Sequence, residues 1–184
     1  MALTLDDIAH LLADRGQQQY GREAVSQLDH ALQCAALAEE AAERTQTVVA
    51  ALLHDLGHLI APENARDDRS APRERDDLHQ YIALPFLHGV FAPEVLAPIR
   101  LHVDAKRCLC TLDAGYWDTL SPASKHSLTL QGGRYSQEEA EAFMREPFAQ
   151  EALRVRRYDD LAKVKGRATP SLSHYLKKMA QVAL

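Results

Sequence analysis

The pair His54-Asp55 lies in a run from Val48 to His58 that is otherwise apolar up to its last residue. This composition predicts a buried helix. Burying a carboxylate next to an imidazole costs on the order of several kcal/mol unless a partner compensates the charge. A bound cation would satisfy both side chains at once, so the pair indicates a metal site.

Four further histidines and carboxylates occur at wide intervals on other predicted helices: His30, His79, His102 and Asp159. A metal site in the core of a helical bundle receives its ligands in this way, from several facing helices. Each residue alone has a simpler explanation, because a lone histidine is more often hydrogen-bonded or exposed, and Asp159 follows two arginines that could pair with it. The ordered series His, His-Asp, His, His, Asp favours the metal interpretation.

The elements that would position these residues are nearly all helical. The pattern predicts helices at about 4–12, 24–44, 47–60, 78–89, 93–107, 122–130, 137–145, 147–157 and 171–182. Thr4, Ser121 and Ser136 are predicted N-caps, with proline following Ser121 and a capping box starting at Ser136. Residues 61–77 contain two prolines and many charges, which predicts an exposed loop, with a lid over the site as the functional alternative. The fold class is all-α, a helical bundle forming one domain over residues 1–184.

Composition excludes several classes of protein. The length suits one domain with one sizeable core. With a net charge of −5, the chain lacks the excess of basic residues that is typical of a nucleic-acid-binding protein. No apolar run approaches the ~20 residues that span a bilayer. Three cysteines without a CxxC pair argue against a disulfide scaffold, so we expect a reducing, cytoplasmic location. The sequence sets no oligomeric state.

Several segments together carry a resemblance to a known family. They include Tyr20 to Glu23, Ala50 to His58, His102 to Arg107 and Gln131 to Gly133, and the likeness extends over nearly the whole chain. The chain resembles a small group of HD-domain proteins, the mixed-valence di-iron oxygenases, and within it the PhnZ-type 2-amino-1-hydroxyethylphosphonate dioxygenases. The His-Asp pair is shared with many phosphohydrolases, whereas the segments after His102 and at Gln131 are more specific. The resemblance implies an HD-domain helical bundle.

The resemblance also implies a cofactor, which is a pair of Fe ions in the Fe(II)/Fe(III) state with O2 as co-substrate. By carry-over, one iron would be held by His30, His54, Asp55 and Asp159. The second would be held by His79 and His102, with Asp55 bridging the two. The ligand types alone suit manganese or zinc as well as iron, so the identity of the metal comes from the resemblance.

The implied partner is a small-molecule aminophosphonate with a hydroxyl on C1. A phosphonate needs cationic hydrogen-bond donors. His58, Lys106 and Arg156 lie three or four residues from a proposed metal ligand, a spacing that places each donor on the same helix face as that ligand. For Lys106 or Arg156 alone, a solvated face is the simpler explanation.

Four more site residues come from the resemblance. It implies that Ser124 and Ser127 donate hydroxyls to the phosphonate, and that Glu23 receives the substrate nitrogen. Tyr20 would cap the second iron until the substrate displaces it. The simpler alternative for the last two is a buried phenol bonded to a local carboxylate.

The sequence says least about whether the substrate nitrogen is a free amine or a trimethylammonio group. Residues 75–78 depart from the PhnZ-type pattern, and several aromatic residues could line a cage for a quaternary ammonium. This favours 1-hydroxy-2-(trimethylammonio)ethylphosphonate, which would yield glycine betaine and phosphate, over 2-amino-1-hydroxyethylphosphonate, which would yield glycine and phosphate. The main alternative function is a metal-dependent HD-domain phosphohydrolase acting on a phosphate ester. A non-catalytic helical module is a second alternative.

Overall fold

The computed structural model describes residues 2–60 and 76–184 of the chain. These residues form α-helices, one π-helical turn and isolated bridges, with no β-sheet among them, so the all-α prediction is confirmed. The helices are α1 (Leu5–His10), α2 (Gln27–Glu40), α3 (Thr45–Leu53), α4 (Gly57–Ile60), α5 (His79–Ile82), α6 (Leu84–Leu87), α7 (Pro93–Leu112), α8 (Tyr116–Thr119), α9 (Pro122–Leu130), α10 (Gln137–Phe143), α11 (Ala149–Leu161) and α12 (Leu172–Val182). The π-helical turn, Leu11–Arg15, continues α1.

Side-chain caps determine where several helices begin. The Ser26 hydroxyl accepts a hydrogen bond from the backbone N–H of Asp29 (3.0 Å), and the Asp29 carboxylate accepts one from the N–H of Ser26 (3.2 Å). This capping box starts α2 so that His30 falls in its first turn. Thr4 and Ser136 form the same motif, and Ser121 caps α9 with Pro122 at the first helical position. The three predicted N-caps are therefore confirmed.

The long helix α7 joins the parts of the apolar core. Its first half contributes Val95 and Ile99 to the largest cluster of buried side chains, which also contains residues of α2, α3 and α12. Its second half contributes Leu101 and Ala105 to another cluster with α10 and α11. His102 lies where α7 passes from the first cluster to the second, so it is fixed by packing on both sides.

The prediction of one continuous helix at 47–60 is wrong, because the helix is interrupted at residues 54–56, between α3 and α4. The last carbonyls of a helix lack intrahelical partners. The Nδ1–H of His54 donates to one of them, the carbonyl of Ala51 (2.8 Å). The His54-Asp55 pair therefore lies in a turn that ends α3, rather than on a continuous helix.

Other boundaries also differ from the predictions. The element predicted at 78–89 consists of the two short helices α5 and α6, and α7 and α11 extend several residues beyond the predicted ends. The short helix α8 was not predicted. Of the predicted loop 61–77, residues 61–75 lie outside the described residues, so the lid hypothesis stays a prediction.

Two further properties concern the chain as a whole. Every helix within residues 2–60 and 76–184 is too short or too polar to cross a bilayer. Cys34, Cys108 and Cys110 are buried free thiols.

Candidate metal centre

The two carboxylate oxygens of Asp55 face two different pairs of histidines. Oδ2 lies 3.7 Å from Nε2 of His30 and 3.6 Å from Nε2 of His54. Oδ1 lies 3.2 Å from Nε2 of His79 and 3.5 Å from Nε2 of His102. A carboxylate in this position can bind one cation through each oxygen.

All four histidines present the same nitrogen to the centre. Nδ1 of His30 faces the carbonyl of Ala162 (2.8 Å), and Nδ1 of His54 faces the carbonyl of Ala51 (2.8 Å). Nδ1 of His102 faces the carbonyl of Ile99 (2.7 Å), and Nδ1 of His79 faces the Asp77 carboxylate (2.7 Å). Because these oxygens can only accept, each Nδ1 carries the proton. In a neutral imidazole the Nε2 lone pair is then free to bind a metal, which is the arrangement usual for metal-ligating histidines.

The buried cluster contains polar atoms that no described residue satisfies. Nε2 of His54, Oδ2 of Asp55 and Oδ1 of Asp159 have no hydrogen-bond partner among the described residues. Leaving such atoms buried and unpaired is unfavourable by about 1–3 kcal/mol each. A cation would satisfy all three at once.

The spacing of the ligand atoms also fits metal ions. Ligands bound ~2.1 Å from an ion lie about 3.0–3.4 Å apart in octahedral or tetrahedral geometry. The observed separations are close to this range, including 3.0 Å between Nε2 of His79 and Nε2 of His102, and 3.5 Å between Nε2 of His30 and Oδ1 of Asp159. The ligand atoms of His54, Asp55 and His102 all lie within 4.8 Å of one another. The residues present therefore fit a centre for two ions.

The electrostatics of the histidines agree with metal binding. Burial lowers the pKa of His30 to about 4, and burial with the neighbouring His54 holds the pKa of His102 well below its usual value. These two imidazoles are neutral near pH 7 and can act as ligands. His79 is also buried, but Asp55 and Asp77 raise its pKa to about 9. Without a metal, the pocket thus retains a proton on His79, which a metal ion would displace.

Asp159 is held in place by an ion-pair network. Nη1 of Arg156 lies 2.6 Å from Oδ2 of Asp159, while Nη2 of the same guanidinium pairs with Asp160 and Nε contacts the Tyr116 hydroxyl (3.1 Å). Although burial raises it, Arg156 and Lys163 hold the pKa of the Asp159 carboxyl well below its usual range. Asp159 is therefore an ionised, oriented carboxylate at the first pair of histidines.

Close backbone packing brings His79 to the His54-Asp55 turn. A Cβ atom on Gly57 would lie 2.0 Å from the backbone carbonyl oxygen of His79, so only glycine allows α4 and α5 to approach this closely. Leu78 precedes α5 in the left-handed region, with φ 53°. The backbone around His79 is thus constrained at both points.

Three of the predicted phosphonate-binding residues, Lys106, Ser124 and Ser127, are joined by hydrogen bonds. Nζ of Lys106 donates to the Ser127 hydroxyl (2.8 Å), which in turn donates to the Ser124 carbonyl (3.1 Å). Lys106 is fully buried, and burial together with Arg156 lowers its pKa to about 7. A phosphonate dianion next to Lys106 would favour its protonated form.

The other predicted substrate residues are divided between the two halves of the centre. The His58 ring stacks on His79, with 4.1 Å between centroids, and its Nδ1 lies 3.0 Å from Oδ2 of Asp77. Glu23 accepts a hydrogen bond from the Ser121 hydroxyl (2.7 Å). Arg156 is directed at Asp159 and Asp160, so its observed contacts are those of a positioning residue.

Tyr20, the predicted cap of the second iron, lies against the first pair of histidines. Its ring stacks on His30, with 3.9 Å between centroids. Burial raises the pKa of Tyr20 well above its usual value, and Asp159 and Asp55 raise it further. The capping role stays a prediction.

Sequence reasoning missed two residues of this site, Asp77 and Lys163. Asp77 orients both His58 and His79 through one carboxylate. Lys163 donates to the Ser124 hydroxyl (3.0 Å) and lies 3.9 Å from Oδ1 of Asp159. The spacing of Lys163 four residues after Asp159 matches that of Lys106 after His102, and this signal could have found it.

Comparisons with known proteins show the family of the chain. The profile of the HD domain matches residues 28–162. A hydroxymethylphosphonate dioxygenase of Gimesia maris is 42% identical over 165 residues, which are 90% of this chain and 81% of that protein. A 1-hydroxy-2-(trimethylamino)ethylphosphonate dioxygenase (glycine-betaine-forming) of Leisingera caerulea is 34% identical over 163 residues, 88% of this chain and 81% of that protein. An uncharacterized protein of Acanthamoeba polyphaga mimivirus is 33% identical over 178 residues, 96% of this chain and 80% of its own length.

Proposed function

The chain belongs to the HD-domain family and is an oxygenase of the phosphonate dioxygenase group, and from this we propose that it cleaves the carbon–phosphorus bond of a small 1-hydroxyalkylphosphonate with iron and O2. The observation that carries the proposal is Asp55, whose two oxygens face two separate pairs of histidines. One carboxylate can thus join two metal ions in one buried site. The reaction belongs to phosphonate catabolism, in which phosphate is released for use by the cell.

We assign the metal ligands as the sequence predicted them. His30, His54, Asp55 and Asp159 would hold one iron, and His79, His102 and Asp55 would hold the other. When bound as an Fe(II)/Fe(III) pair, the two irons supply Lewis-acid and redox chemistry. The protein fixes the tautomer of each histidine through its Nδ1 contact and keeps both carboxylates ionised.

The residues around the centre bind and orient the phosphonate. Lys106, with Ser124 and Ser127, offers an ammonium and two hydroxyls on the side of α9, and His58 lies on the side of α5. A cation and several donors are what a phosphonate dianion requires. The pKa of Lys106, lowered to about 7 by burial, means that substrate binding and protonation of this lysine reinforce each other.

The proposed reaction balances without any other reductant. C1 gains one oxygen atom of O2 and becomes the carbon of a carboxylate. Phosphorus gains the other oxygen atom, so that the phosphonate becomes phosphate. The C1–H and C–P bonds that break supply the four electrons that reduce O2. One proton is released to solvent at neutral pH.

The substituent on C1 separates three candidate substrates. The sequence favoured the trimethylammonio compound over the free amine, and both carry a cation. The Gimesia maris relative is named for hydroxymethylphosphonate, which carries none. A metal-dependent phosphohydrolase would use the same four ligands as the first iron: His30, His54, Asp55 and Asp159. However, the relatives from Gimesia maris and Leisingera caerulea are both named as dioxygenases.

The proposal is tested by loading the protein with ferrous iron without oxygen, then adding O2 with each phosphonate. We expect O2 uptake and phosphate release in equal amounts with at least one of the three, and none with phosphate monoesters. His102→Ala removes a ligand of the second iron and should abolish turnover, whereas His10→Ala, on the exposed face of α1, should not change it. Phosphate release from monoesters without O2 uptake would contradict the proposal.

A further inference from the structure

A second lysine reaches the centre, and the assignment above does not use it. Lys163 follows α11 by two residues, and only 12% of its side chain is exposed. Its Nζ donates to the Ser124 hydroxyl (3.0 Å) and lies 3.7 Å from Oε1 of Glu23 and 3.9 Å from Oδ1 of Asp159. The ammonium also lies 6.0 Å from the centre of the Tyr20 ring.

Glu23 is already compensated by the protein itself. The Ser121 hydroxyl donates to Oε1 of Glu23 (2.7 Å), and the Lys163 ammonium lies next to the same oxygen. A carboxylate with a hydroxyl donor and a neighbouring cation needs no cation from a ligand. This is the carboxylate to which the family resemblance assigned the nitrogen of the substrate.

We propose that Lys163 determines substrate specificity by placing its own ammonium where a substrate ammonium would meet Glu23. The preferred substrate is then a 1-hydroxyalkylphosphonate without a cationic group, and the smallest such compound is hydroxymethylphosphonate. This inference rests on the proposed function, because it assumes that the phosphonate binds at the metal centre beside Ser124.

The charge arrangement explains both sides of this preference. A primary or quaternary ammonium brought to Glu23 would lie beside the Lys163 ammonium, and like charges placed together weaken binding. A substrate without a cation leaves the Glu23–Lys163 contact intact. Its phosphonate then meets two lysine–serine pairs, Lys106 with Ser127 and Lys163 with Ser124.

The test compares three substrates on matched variants of the iron-loaded enzyme. We would measure kcat and KM for phosphate release from hydroxymethylphosphonate, 2-amino-1-hydroxyethylphosphonate and 1-hydroxy-2-(trimethylammonio)ethylphosphonate. The wild type should prefer the first over both cationic compounds by at least about tenfold in kcat/KM. Lys163→Met removes the charge at similar length and should reduce this preference about tenfold or more, chiefly through KM. Lys163→Arg should keep the preference, and Lys165→Met, at an exposed lysine, should leave it unchanged.

A binding measurement separates this inference from the proposed function. Titration of each phosphonate into the iron-loaded wild type without O2 reports the order of affinities even if no compound is turned over. Tightest binding of hydroxymethylphosphonate supports the role of Lys163, whatever the reaction. Equal or tighter binding of either cationic compound overturns it, as does a preference that Lys163→Met leaves unaltered. The wild-type comparison holds even if that variant fails to fold.

Discussion

At the residue scale, the centre depends on side chains that orient one another as much as on the ligands themselves. Each of the four histidines has its Nδ1 proton accepted by a fixed oxygen, so its Nε2 is directed inward. Three of these oxygens are backbone carbonyls, which substitution cannot remove. The fourth is the side-chain carboxylate of Asp77, which a substitution can remove. The orientation of His79 can therefore be tested directly by mutation.

Asp77→Ala removes the acceptor for Nδ1 of His79 and the contact to Nδ1 of His58. We expect the affinity of the second metal site to fall about 10–100-fold, because loss of an orienting partner typically has this effect. The first site, with His30 and His54, should remain filled. Titration with ferrous iron under nitrogen, followed by metal analysis, measures both sites. Asp118→Ala, at an exposed aspartate, is the control, and an unchanged second site would rule out this role for Asp77.

At the element scale, short turns rather than long helices complete the site. The sequence predicted the helical composition, the caps at Ser121 and Ser136 and the six ligand candidates, because periodicity and residue type are local signals. It placed His54-Asp55 on a continuous helix, since the contact between His54 and the Ala51 carbonyl that ends α3 leaves no mark on the apolar pattern. Lys163 follows Asp159 by four residues, but its contacts with Glu23 and Ser124 join residues far apart in sequence, so its full role could not be predicted.

Gly57 joins two of these short elements. In Gly57→Ala, the new Cβ would lie 2.0 Å from the carbonyl oxygen of His79, so α5 must move away from α4. We expect a loss of about 1–3 kcal/mol in the free energy of unfolding, together with loss of iron from the second site. Chemical denaturation and metal analysis measure the two effects.

Gly115→Ala is the matched control for that variant. Gly115 has φ −86° and ψ −16°, and the nearest described atom to a Cβ there would be Oδ1 of Asp113, at 3.7 Å. This variant should keep both its stability and its iron. If Gly57→Ala behaved in the same way, the close approach of α4 and α5 would not be needed to form the second site.

At the scale of the whole molecule, the metal centre links helices that are distant in the sequence. The proposed ligands come from α2, the turn after α3, α5, α7 and α11, and the apolar clusters lie on both sides of His102. Binding of metal to such a site adds directly to the stability of the folded state. Because atoms of His54, Asp55 and Asp159 are buried and unpaired without a metal, the free energy of unfolding should be lower for the metal-free protein than for the metal-bound one.

Iron loading should therefore raise the Tm of the wild type. A metal present at 100 times its Kd stabilises by about 2.7 kcal/mol, which corresponds to roughly 5–10 °C for a chain of this size. Anaerobic calorimetry of the metal-free and iron-loaded protein measures the shift. A Tm that iron leaves unchanged would mean that the cluster does not bind metal in the folded protein.

We propose that Asp55 would join two iron ions within one buried site. Counting iron per chain after anaerobic loading and removal of excess metal tests it most directly. We expect two iron ions per wild-type chain and fewer than one in Asp55→Asn, with two retained in the control Asp118→Asn, at an exposed aspartate. One iron or none in the wild type, or two in Asp55→Asn, would contradict it.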